Sequence, residues 1–206
     1  MMIAVEGMDG VGKTAISRYI CQQYGFDFIE KPLHYFYNDD AKNGYADLMN
    51  AANRMYDIND NMIKSWFFSL GNLYVSRMYK DKNVVIDRHL VSNYYWNGDL
   101  KSEPIFSTLI EISGIPDLTI ILYATPKTRF ERLRKRNIED PDLNDPDKMD
   151  DGYDKMIYFV DKFKLPYIII NTENKNLEEV EQIVDIEISK LNNKAKKMIK
   201  KKELNF

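Results

Sequence analysis

GMDGVGKT, Gly7 to Thr14, directly follows the apolar run MMIAVE. Gly7, four intervening residues, then Gly12, Lys13 and Thr14 complete the spacing of a phosphate-binding loop. Ile3, Ala4 and Val5 before it read as a short buried strand, and KTAISRYICQQYG after it sets Ile16, Tyr19, Ile20 and Tyr24 at helical spacing. Strand, glycine loop and helix therefore fall in the order that a phosphate cradle requires. In such a loop the glycines let successive backbone N–H groups turn inward, and the first helical turn adds unpaired donors and its positive dipole end. Met8, Asp9, Gly10 and Val11 supply the rest of the cradle. Lys13 is placed to reach the β- and γ-phosphates as a point charge, and the Thr14 hydroxyl can ligand Mg²⁺. A glycine turn that merely starts a helix is the plainer alternative.

The chain of 206 residues suits one domain, residues 1–206, with 44% hydrophobic and 30% charged residues as in an ordinary soluble globule. A formal charge of −3 gives no global reason to expect a nucleic-acid polymer as partner. The single cysteine, Cys21, excludes an internal disulfide and reads as a packing residue of the first helix. No signal peptide precedes the loop and no apolar stretch approaches a membrane span, so the expected home is the cytoplasm.

Strand candidates recur along the chain as IAVE, FDFIE, NVVIDR, LTIILYA and PYIIIN, with helical patterns between most of them. Apolar runs separated by helices predict a five-stranded parallel sheet with helices on both faces. Ligands then gather at the C-terminal strand ends, where the glycine loop sits. Residues 35–46 and the acidic, proline-containing 138–154 read as irregular, and the tail KAKKMIKKKELNF, 194–206, as a solvated basic helix end.

In NVVIDRHLVSNYYW a buried strand ends in Asp87 and Arg88. A carboxylate there can hold Mg²⁺ directly or through water, or simply cap the following helix. Arg88 can bridge two phosphoryl groups with its planar fork, as a lysine cannot. Downstream, KTRFERLRKRN sets Arg129, Arg132 and Arg136 on one helical face. A solvated charged face is the ordinary explanation of such a run. The acidic loop that follows instead suggests a lid, about 129–152, that brings arginine charge to the γ-phosphate and shields it from water.

VEGMDGVGKT, DRHLVS, PDLTIILYATPKTRFERLRKR and IIINTENKNLEEV follow one another in the order of the thymidylate kinase family, which the chain resembles over most of its length. The resemblance implies an α/β P-loop NTPase fold with an arginine-bearing lid. It implies ATP phosphates on Gly7–Thr14, Arg88 clamping donor and acceptor phosphates, and Arg132 and Arg136 in the lid. It places Asp9 against the acceptor sugar, Phe68 stacked on the acceptor base, and Asn171 near adenine. Asn72 stands where the family usually has a base-facing arginine, Tyr95 fits the acceptor spacing, and a homodimer is common among relatives.

IEKPLHYF, by contrast, is similar to the motif of deoxynucleoside kinases, in which Glu30 would serve as base toward a nucleoside 5′-hydroxyl. A monophosphate acceptor is already anionic and needs cations rather than a base. The sequence thus points to ATP- and Mg²⁺-dependent phosphoryl transfer to a nucleoside monophosphate, thymidylate first. A deoxynucleoside kinase and a P-loop NTPase switch or binding module stand as alternatives. Lys13, Arg88, Glu30, Arg132 and Arg136 are the catalytic candidates, and Thr14 and Asp87 the metal ligands. His34 and His89 read as neither ligand nor catalyst.

Overall fold

The computed structural model describes residues 1–37, 41–138, 143 and 152–203, with side chains described outside 36–47 and 194–203. Five strands, β1 (Met2–Glu6), β2 (Asp27–Glu30), β3 (Val84–Asp87), β4 (Leu118–Tyr123) and β5 (Tyr167–Asn171), form one sheet in the order β2-β3-β1-β4-β5. All four pairings are parallel, which matches the expectation from the five apolar runs. Side chains alternate between the two faces of such a sheet. Val85 accordingly enters the large core with Ile3, Val5 and Phe106, while Val84 and Ile86 pack with Ile29 and Val75 in a second cluster.

The crossovers are helical. α1 (Lys13–Tyr24) leaves the glycine loop. α2 (Leu33–Tyr37), α3 (Ala41–Tyr56) and α4 (Asn61–Met78) join β2 to β3, and α5 (Leu90–Asn97) and α6 (Glu103–Ser113) join β3 to β4. α7 (Pro126–Arg136) and α8 (Tyr153–Lys162) precede β5, and α9 (Leu177–Glu203) closes the chain.

Residues 35–37 and 41–46 belong to α2 and α3, where the sequence reads as irregular. The Asn-, Asp- and Gly-rich stretch NDDAKNGY is a poor helix former on its own. Tertiary packing decides it: Leu48 and Ala52, one turn apart on α3, bury themselves with Leu33 against Phe67 and Phe68 of α4. Gly71 lets α2 and α4 approach closely, because a Cβ there would stand 2.5 Å from the Leu33 nitrogen.

Of the lid expected over 129–152, residues 139–142 and 144–151 lie outside the described residues, as do the side chains of the basic tail. Parallel register aligns the C-terminal strand ends along one edge: Glu30 pairs with Asp87, and Val5 with Asp87 from the other side. The site is assembled on that edge.

Candidate active site

The glycine loop occupies the end of β1, and its conformation depends on residues without side chains. Gly7 adopts φ 131°, and a Cβ there would meet the Leu122 carbonyl at 2.4 Å. A Cβ on Gly10 would meet the Arg129 carbonyl at 2.7 Å. Met8 and Val11 are buried beneath the loop, so they anchor it while its backbone and the side chains of Asp9, Lys13 and Thr14 face the cavity.

Lys13 folds back over the loop, its Nζ donating to the Met8 carbonyl at 2.9 Å and lying 3.5 Å from Asp9 Oδ1. Burial, with help from the neighbouring Arg88 charge, lowers its pKa to about 8. Arg88 contributes a second cation and forms an ion pair with the same Asp9 oxygen. Asp9 therefore pairs with two cations at the place where phosphates would lie, with Asp87 adding its charge to both.

Arg88 is held in a left-handed conformation, φ 72°, which costs a residue with a Cβ about 1 kcal/mol. Its own N–H bonds to the Val5 carbonyl at 3.1 Å. Immediately beyond it, the fully buried Glu6 carboxylate accepts from the N–H groups of His89 at 2.9 Å, Val91 at 3.1 Å and Ser92 at 3.2 Å, and from the Ser92 hydroxyl. These are the orphan donors of the first turn of α5. Burial raises the Glu6 pKa, and the hydrogen bonds oppose that rise. Glu6 thereby ties β1 to α5 and fixes the turn that aims Arg88. Sequence reading missed it, although a carboxylate ending the apolar IAVE run is the signal that could have found it.

The Thr14 hydroxyl donates to Asp87 Oδ2 at 2.6 Å. Two hard oxygen ligands so placed fit Mg²⁺, which takes one or two protein oxygens and completes its shell with phosphates and water. Among the described residues no group of three or more His, Cys, Asp or Glu could hold a metal ion.

A cavity of about 1060 Å³ runs from this loop between α2, α3, α4 and α5. Glu30 lines it beside Asp87, and Phe68 lines its far end, with Tyr56 stacked on the Phe68 ring at 6.2 Å. Asn72 lies on the same wall, but its Oδ1 accepts from Asn93 Nδ2 at 3.2 Å, so it cannot turn by itself. Tyr95 is half-buried, packed edge-on against Trp96 and beneath Lys155, and Trp96 is the member of that pair that lines the cavity. His89 lines it too, and burial lowers its pKa to about 4.

The arginines of α7 part company. Arg129 is 1% exposed and reaches the Asp9 carbonyl at 3.5 Å, so it supports the loop from behind. Arg132 donates to Thr172 Oγ1 at 2.9 Å and to the Thr172 carbonyl at 2.7 Å, which pins α7 to the loop after β5. Glu173 strengthens that pin by accepting from the Thr125 N–H at 2.8 Å and the Thr128 hydroxyl at 2.6 Å. Arg136, exposed at the end of α7, stands at the cavity mouth with Arg132. Asn171 lies outside the cavity lining, its Oδ1 accepting from the Glu173 N–H at 2.8 Å.

A parallel sheet with a phosphate loop on β1, a hydroxyl–carboxylate pair from α1 and β3, and cations facing a cavity that extends beyond the loop is the arrangement of a P-loop nucleotide kinase. The thymidylate kinase family profile matches residues 5–184, and the chain belongs to that family. It is 26% identical over 211 residues to the thymidylate kinase of Onion yellows phytoplasma, a match covering 89% of this chain and 99% of the relative. Its fold is similar to that of thymidylate kinase from Candida albicans, with a TM-score of 0.67 at 18% identity over 92% of each chain. It is also similar to deoxyadenosine kinase from M. mycoides with bound dATP, with a TM-score of 0.62 at 18% identity over 92% of this chain and all of the other.

Glu6→Gln sets an amide NH₂ against backbone donors, so we expect a stability loss of about 2–4 kcal/mol in urea unfolding and a lower kcat. Unchanged unfolding would contradict the role assigned to Glu6. The Lys13 pKa of about 8 also sets a sign for nucleotide binding, since only the cationic form would hold phosphate and that form is lost as pH rises through that value. The Kd for a non-hydrolysable ATP analogue should weaken by about tenfold between pH 7 and pH 9. Lys13→Met should bind more weakly throughout and lose this step.

Proposed function

We propose that this protein transfers the γ-phosphoryl group of Mg²⁺-bound ATP to the 5′-phosphate of a nucleoside monophosphate, with thymidylate as the first acceptor. The observation that carries this reading is the position of Arg88. It lines one cavity together with the phosphate loop and with Phe68 and Asn72.

Phosphoryl transfer asks a protein for positioning and for charge that offsets the oxygens of the moving group. The loop N–H groups and Lys13 hold the donor phosphates. Arg88 bridges donor and acceptor oxygens with its fork once they displace Asp9 from it, and Asp9 is then free to accept from the acceptor sugar hydroxyl. Thr14 and Asp87 would hold Mg²⁺, which would offset the negative charge of the phosphate oxygens. Arg136 adds positive charge from the mouth, while the anchored Arg132 shapes the donor side next to the Asn171 loop. A monophosphate needs no base.

Glu30 supports a second reading. It lines the cavity next to Asp87, within the set of groups that a nucleoside 5′-hydroxyl acceptor would meet, and there it would take the hydroxyl proton. We further propose that the protein works in the cytoplasm as a homodimer. Met62, Ile63, Trp66 and Leu70 leave an apolar stripe on α4 that a second copy would cover.

Coupled ADP release, run with each nucleoside and each monophosphate, tests the proposal. Release that depends on thymidylate supports it, release with thymidine but not thymidylate selects the Glu30 reading, and release without any acceptor overturns both. Arg88→Lys should lose about 100-fold or more in kcat, because a point charge cannot bridge two phosphoryl groups. Equal rates would remove Arg88 from the chemistry.

A further inference from the structure

Three asparagine amides form a chain between α4 and α5. Asn97 Nδ2 donates to Asn93 Oδ1 at 3.1 Å, and Asn93 Nδ2 donates in turn to Asn72 Oδ1 at 3.2 Å and to Ser69 Oγ at 3.1 Å. All three amides are buried and all three line the cavity. Asn93 has both corners engaged, whereas Asn72 Nδ2 and Asn97 Oδ1, the two ends of the chain, make no hydrogen bond among the described residues.

An amide has donors on one corner and an acceptor on the other, and a half-turn of the group exchanges them. Turning Asn93 alone would oppose donor to donor at one contact and acceptor to acceptor at the other. Turning all three keeps every contact: Asn72 then donates to Asn93, Asn93 donates to Asn97, and the Ser69 hydroxyl rotates from acceptor to donor. The chain therefore has two directions with equal numbers of hydrogen bonds, and no stable mixture of them.

We propose that Asn97, Asn93 and Asn72 form a reversible amide relay that presents Asn72 as a donor to a keto base edge in one direction and as an acceptor to an amino base edge in the other. The inference rests on the placement of the acceptor base between Phe68 and Asn72, and it names the substrate class of that site: nucleotides of both keto and amino bases. Direction follows the ligand, because the two states keep the same number of internal hydrogen bonds and present opposite corners of Asn72 to it. Phe68 is indifferent to the change, since stacking on an aromatic ring does not depend on the base edge.

Asn97→Asp tests the relay from its far end. An ionised carboxylate only accepts. Asn93 must then donate to position 97, and Asn72 must turn its oxygen toward the cavity. Binding of thymidylate and deoxycytidylate is measured by calorimetry on the full chain, beside ADP release with each. The wild-type protein should bind both within about tenfold of one another, and the substitution should shift the ratio toward deoxycytidylate by about tenfold or more. If Asn97→Asp does not fold, Asn93→Asp imposes the same direction on Asn72 from the middle of the chain. An unchanged ratio in a folded variant, or wild-type protein that binds thymidylate and not deoxycytidylate, overturns the relay. Binding without turnover of either nucleotide counts against the phosphoryl-transfer reading instead, while the binding ratio still decides the relay.

Discussion

The Glu6 carboxylate, buried at the head of α5, is the contact on which the site depends. Three N–H groups and a hydroxyl converge on it, so a carboxyl group away from solvent is held by the otherwise unpaired donors at the start of a buried helix. An unpaired carboxylate in that position would be costly, and unpaired donors nearly as much. Each settles the other. The result is a rigid joint between the strand that carries the glycine loop and the helix that follows Arg88, and Arg88 keeps its left-handed backbone because residues on both sides are tied down.

That joint sets up an electrostatic arrangement before any nucleotide arrives. Lys13 and Arg88 share Asp9, and Thr14 is already in contact with Asp87. In the proposed reaction, phosphates would take the place of the Asp9 carboxylate beside Lys13 and Arg88, so the cations need not move far to be used. Fixed charges of this kind lower a barrier because their ordering cost falls on folding rather than on the reaction. Arg129 and Arg132 serve the same end indirectly, one beneath the loop and the other bound to Thr172.

Much of this was legible in the sequence because it is local. The loop pattern, the apolar strand runs and the Asp-Arg pair at a strand end each lie within a dozen residues. The residues that were not legible act across the chain. Glu6 reads as the end of a strand until α5, more than 80 residues later, supplies its donors. The arginines of α7 share a face by spacing, yet burial separates Arg129 from Arg136, and no helical periodicity contains the Thr172 carbonyl that holds Arg132. α2 and α3 follow from packing against α4 and not from propensity. Asn72 is open to either base edge as an isolated side chain, and only its contact with Asn93, 21 residues away, shows that its orientation is shared.

The central claim is that one cavity holds both nucleotides, joined across Arg88. It is tested most directly by the affinity of a bisubstrate compound in which adenosine and thymidine are linked through a 5′,5′-polyphosphate chain, measured by calorimetry against ATP and thymidylate separately. The compound should bind at least about 100-fold more tightly than either nucleotide, since a linker that spans both sites makes the second contact intramolecular. Affinity no greater than that of ATP, with thymidylate unable to displace the compound, would contradict the account.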